Sequence, residues 1–165
     1  MASWGQIALV AIGAIVGYGG RFVDEWLRGR RELRREARDA VRAAWLAADR
    51  MFRSFGPHVW EEYSKHEWTG PESDDLADMR RDASTIGDRP LRQRVELAID
   101  VLGDPWSIEQ FHGDRAPTSG WRVCRFALDS LSAWLRHEPL PAEPAYIAEY
   151  RSALASASAE REAET

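Results

Sequence analysis

Lysine and cysteine are all but absent. Lys65 is the only lysine and Cys124 the only cysteine in a chain of 165 residues. A single thiol excludes an intramolecular disulfide and any zinc site built on several cysteines, and it fits a reducing compartment. Arginine makes up the lysine deficit; together with abundant alanine this bias fits high-GC coding and carries no mechanism. No stretch alternates with period two long enough to read as a strand, and no unit repeats at a spacing of about 20 to 50 residues. Phosphate-loop and dinucleotide patterns are missing as well, since Gly17-Tyr18-Gly19-Gly20 follows no strand.

Charge is present but unevenly placed. The net charge is −5. Between Arg21 and Gly56 ten arginines face six acids, whereas from Pro57 onward twelve basic residues face 21 acids. An acidic body argues against general nucleic-acid binding. Eight tryptophans are many for this length, and such large rings anchor a small core or an interface.

The stretch from Ser3 to Gly20 has no charged side chain and is flanked by Trp4 and Tyr18. As a helix it would reach about 27 Å against roughly 30 Å of hydrocarbon. The basic residues lie on its C-terminal side only. Arg21, Arg28, Arg30, Arg31, Arg34 and Arg35 form a collar suited to anionic lipid headgroups, and the positive-inside rule places the N-terminus outside and the remainder in the cytoplasm. The expectation is a single-pass helix in the inner (plasma) membrane, uncleaved because no basic residue precedes it. Gly13, Gly17 and Gly20 share one helical face, which would let two such helices pack as a homodimer.

Beyond the collar, Val41, Ala44, Trp45, Ala48, Met51, Phe52 and Phe55 step by threes and fours, as one wide face of an amphipathic helix does. Ala37, Ala40, Ala44, Ala47 and Met51 also approximate a coiled-coil seam. Gly56-Pro57 stops this helix. A short helix carrying Val59, Trp60 and Tyr63 follows, then helices with inward Leu76, Met79, Ala83 and Ile86, and with Leu91, Val95, Ala98, Val101 and Leu102. Residues 103–120, broken by Pro105, Gly113, Pro117 and Gly120, read as a loop bearing Trp106, Ile108 and Phe111 that lids the bundle. Ser119 would cap a helix with Trp121, Cys124, Ala127, Leu128, Leu131, Trp134 and Leu135 inside. A last helix starts near Ala145. The expected fold is all-α: a transmembrane anchor over 1–22, an arginine-rich stalk over 23–36, a cytoplasmic antiparallel bundle of four to five helices over 37–156, and a flexible tail over 157–165.

Candidates for chemistry are few. His58, Glu62 and His66 would stack at i, i+4 and i+8 if helical and could then offer metal ligands, but that stretch contains no Glu-x-x-His and no His-Glu-x-x-His. Cys124 lies on an apolar face beside Trp121 and Leu128, the position of a buried, inert thiol. His112 with Asp114, and His137 with Glu138, form no triad with a serine. No catalytic, cofactor-binding or metal-binding residue is therefore assigned.

The anchor, the collar RGRRELRREAR and the tryptophan-bearing bundle together resemble the layout of small N-terminally anchored helical proteins of high-GC actinobacteria and their phages. That resemblance implies an inner-membrane protein with cytoplasmic helices, and it carries no functional residue over. The expected function is a membrane-tethered scaffold that recruits a protein partner without catalysis, with Trp60, Trp68 and Trp106 as surface contact residues. The alternatives are a phage or defence effector that alters the membrane, and a metal-dependent enzyme at His58, Glu62 and His66.

Overall fold

The computed structural model describes the backbone of residues 4–71 and 73–163, and the side chains of residues 25–71 and 74–163. Among these residues there are seven helices and no strand: α1 Trp4–Ser54, α2 Pro57–Ser64, α3 Ser73–Ser84, α4 Arg89–Gly103, α5 Pro105–His112, α6 Ala116–Leu135 and α7 Ala145–Ala163. The all-α expectation stands. The chain divides into two compact units, Met1–Ala37 and Arg38–Thr165.

The first unit is helical backbone belonging to α1. Its described side chains are mostly exposed, among them Trp26, Leu27 and Leu33 and the arginines at 28, 30, 31, 34 and 35. Arginine and glutamate keep this stretch helical despite Gly29, since both rank among the better helix formers. The Arg30 guanidinium lies over the Trp26 ring at 4.5 Å, a cation–π contact that covers part of one indole face.

The expected transmembrane helix, and with it the inner-membrane, N-terminus-outside localisation, is corrected. Among the described residues no helix is long and apolar enough to cross a membrane. From Glu25 onward, where its side chains are described, α1 carries eight charged residues in the twelve positions 25–36, far too many for a span. The side chains of the uncharged run before it lie outside the described residues. The side chains of the expected packing face, Gly13, Gly17 and Gly20, and that of Arg21 lie outside the described residues.

The second unit is a helical bundle. Val41, Ala44, Ala47, Ala48 and Met51 of α1 are buried at the predicted spacing, so the alanine seam serves the bundle's own core. The Trp45 Nε1–H donates to Ser132 Oγ of α6 at 2.8 Å. In α4 the expected inward set Leu91, Val95, Ala98, Val101 and Leu102 is fully buried, and Leu97 and Ile99 are buried too. Gln93, Glu96 and Asp100 are exposed on the remaining face, so α4 is amphipathic with a wide apolar side. Accordingly α4 packs against α3, α5, α6 and α7. Asp88 starts it: one carboxylate oxygen accepts the Leu91 backbone N–H at 3.0 Å, and the other accepts the Trp134 indole N–H at 3.2 Å. One side chain thus caps α4 and ties it to the end of α6.

The expected loop over 103–120 is largely helical. Pro105 and Pro117, which read as breakers, sit in the first turns of α5 and α6, where the missing N–H costs nothing. Ser119 is not a cap; it is buried within α6 and donates to the Ala116 carbonyl at 2.9 Å. Trp121, expected inside, is 45% exposed and packs by one side on Phe52 at 5.6 Å. α7 continues through Ala163, where a frayed tail from 157 is expected: Ala157 is buried and Arg161 pairs with Asp104 at 3.0 Å.

Replacing Asp88 by alanine removes the cap and leaves the Trp134 indole without its acceptor. The expected loss is about 1–2 kcal/mol of stability. Asp88→Asn, whose amide has a single acceptor oxygen, should keep the cap but not the Trp134 bond and so fall between Asp88→Ala and the unaltered protein. Urea unfolding followed by circular dichroism checks this, and an unchanged midpoint for Asp88→Ala would contradict the double role.

Candidate functional site

A concavity is built by α2, the turn after it, and α5. α2 is only eight residues long and begins on Pro57. It ends where His66 adopts a left-handed backbone with φ of 62°. There the Glu62 carbonyl accepts the backbone N–H groups of Lys65, Glu67 and Trp68 at 3.2, 2.8 and 3.3 Å. This reversal folds Trp68 back over α2. Its ring meets Phe55 at 6.2 Å and Tyr63 at 6.4 Å, both edge-on, and it is 8% exposed in a small cluster with Val59 and Ala116.

α5 supplies the opposite wall. Ile108, with no exposed surface, fixes the helix in the main core. Gly113 closes α5 in the left-handed region with φ of 86°, its N–H shared between the carbonyls of Ile108 and Glu109. A side chain there would strain the backbone. So held, Trp106 stacks with Tyr63 at 5.9 Å and 18°, and stands 6.1 Å from Trp68. One turn on, Glu109 Oε1 accepts the Tyr63 hydroxyl at 2.5 Å. Donation to that carboxylate, with burial as the second cause, raises the Tyr63 pKa above its ordinary value. The other carboxylate oxygen, Glu109 Oε2, is buried and has no hydrogen-bond partner.

These side chains enclose a cavity of about 660 Å³, lined by Trp60, Tyr63, Trp68, Trp106 and Glu109 together with Ser64, His66 and Arg115. Its size falls within the range of small-ligand sites. Trp60 and Trp106 are 40% and 46% exposed, so each indole presents area to an incoming group. The Ser64 hydroxyl is engaged by the Glu61 carbonyl of its own helix at 2.7 Å. Aromatic faces beside a carboxylate equip this pocket to bind apolar or cationic groups.

A second polar cluster lies where α5, α6 and α7 meet. Asp114 Oδ2 accepts from the Arg122 guanidinium and from the Tyr150 hydroxyl. His112 Nε2 is 3.2 Å from Glu149 and 3.9 Å from Asp114, and its ring meets Tyr150 at 5.2 Å. The Tyr150 pKa is raised, by burial first and by its bond to Asp114 second. Each of these residues has a partner within the cluster, as expected of a fastening for α7.

The three tryptophans expected at the surface converge on one pocket, although 46 positions separate Trp60 from Trp106. Trp68, expected at the surface, is buried and forms a wall of the pocket. His58, Glu62 and His66 form no helical stack, because α2 ends at Ser64. Among the described residues no three histidine, cysteine or acidic side chains are grouped to hold a metal. Sequence reasoning missed Tyr63, Glu109 and Arg115 as pocket residues. Glu109 and His112 form a Glu-x-x-His pair on α5, yet they serve the two separate clusters just described. Cys124 is fully buried, and desolvation drives its thiol pKa far above the ordinary value. No family description, curated protein or solved structure matches the chain.

The Cys124 environment makes the thiolate scarce. At about pH 8 an aromatic disulfide reagent is expected to leave the folded protein unmodified over hours and to titrate one thiol per chain in denaturant. Rapid reaction of the native protein would contradict the burial.

Proposed function

We propose that the second unit is a binding module that recruits a partner through the pocket between α2 and α5 and performs no catalysis on it. The observation that carries this reading is the convergence of Trp60 and Trp106, both partly exposed, on a single cavity floored by buried Trp68. Tryptophan and tyrosine dominate binding hot spots because each covers a large area while losing little side-chain freedom. The walls are packed before any partner arrives, through Tyr63 stacked on Trp106 and tied to Glu109. Preorganisation of this kind lowers the entropic cost of association. The reading requires no membrane tether, and it assigns the arginine-rich part of α1 no role in recognition.

Affinity capture from the source cells tests it. The chain should retain a reproducible protein partner, and the double variant Trp60→Ala, Trp106→Ala should lose at least about tenfold of that capture while keeping its helical spectrum. Equal capture by both forms would place recognition elsewhere.

A further inference from the structure

The pocket has a chemical preference that follows from how its carboxylate is used. Glu109 is a charged group set among indole and phenol rings. One of its oxygens is occupied by the Tyr63 hydroxyl, and the other is covered and unpartnered. Buried polar atoms in native proteins ordinarily have partners, so an orphaned carboxylate oxygen calls for compensation of its charge. Because Oε2 is covered, that compensation must act through space and not through a donated hydrogen bond. A primary ammonium brings three N–H groups that need acceptors, and the Glu109 oxygens are not free to serve them. A cation whose nitrogen carries only methyl groups has no N–H to leave unsatisfied. It also sheds water readily and is attracted to the faces of tryptophan and tyrosine.

We propose that this pocket receives a quaternary trimethylammonium group, carried either on an N-methylated lysine side chain of a partner protein or on a small free cation. The inference rests on the reading of this pocket as the recognition site. Trp60 and Trp106 supply the open indole faces, Tyr63 and Trp68 the packed wall, and Glu109 the negative potential. Arg115 also lines the cavity and opposes a cation. It is exposed, so water and salt screen its charge, whereas the covered carboxylate oxygen is screened much less. The two charged residues therefore give opposite expectations on substitution, and their signs identify the ligand class.

The test is a calorimetric titration of the full chain, with the indole N–H resonances of Trp60 and Trp106 assigned from Trp→Phe variants. Four probes are used: a trimethyllysine peptide, its unmethylated lysine counterpart, tetramethylammonium, and a neutral peptide bearing the tert-butyl isostere. The trimethyllysine peptide or tetramethylammonium should bind at least about tenfold more tightly than the neutral isostere and shift both indole signals. Glu109→Gln, which keeps an acceptor for Tyr63, should weaken binding several-fold, and Arg115→Ala should leave it unchanged or tighten it. Preference for the peptide identifies a side-chain source, and preference for tetramethylammonium a free cation. The proposal is overturned if neither cation binds, if the isostere or the unmethylated peptide binds equally well, or if Arg115→Ala abolishes binding. The isostere comparison uses the unaltered protein, so it stands even if a variant misfolds. If partner capture still depends on Trp60 and Trp106 while no trimethylammonium probe binds, the cation assignment fails and the binding role survives.

Discussion

The candidate site depends on holding one short helix still. α5 has eight residues, well below the length at which an isolated helix persists in water. Its stability comes from what it buries. Ile108 goes entirely into the core, a contribution of about 1.5–3 kcal/mol, and Pro105 and Ser107 are buried beside it. The helix packs on α6 and α7. Immediately beyond Gly113, Asp114 receives Arg122 of α6 and Tyr150 of α7, so the chain leaving α5 is fastened as well. With the inward side pinned, Trp106 and Glu109 are delivered to the aromatic pocket at the opposite wall from α2.

The two polar clusters divide the work by environment. Around Asp114 the Arg122 and Tyr150 donors both meet the carboxylate, and the phenol of Tyr150 is kept protonated by burial and by that carboxylate. Around Glu109 the pairing is incomplete, with one oxygen satisfied and one not. A satisfied network makes the fold rigid, and an incomplete one is where a ligand gains the most. The two carboxylates lie five positions apart in the chain and differ in role for this reason.

Much of the bundle was legible in the sequence because burial follows period. The threes and fours of α1, α4 and α6 mark faces that are buried in the structure, from Val41 to Met51 and from Leu91 to Leu102. Misreadings arose where one residue has two uses. Pro105 and Pro117 look like breakers yet open helices. Trp121 falls on the apolar stripe of α6 but stays 45% exposed. The pocket itself was half visible. Tryptophan is conspicuous, so Trp60, Trp68 and Trp106 drew notice one by one. Their meeting was not, because it depends on the reversal at His66 and on α5, neither of which has a strong periodic signal. Tyr63 was marked only as part of the short helix after Pro57 and Glu109 not at all, since a carboxylate and a phenol 46 positions apart become partners only in the fold.

A pocket organised before its ligand arrives requires the rings of α2 and α5 to touch in the free protein. Nuclear Overhauser contacts between the Tyr63 ring and the indoles of Trp68 and Trp106 measure this directly. Strong cross-peaks between Tyr63 and both indoles are predicted in the unliganded chain. Their absence, with the contacts of α4 against α6 intact, would contradict a preformed aromatic site on an otherwise folded bundle.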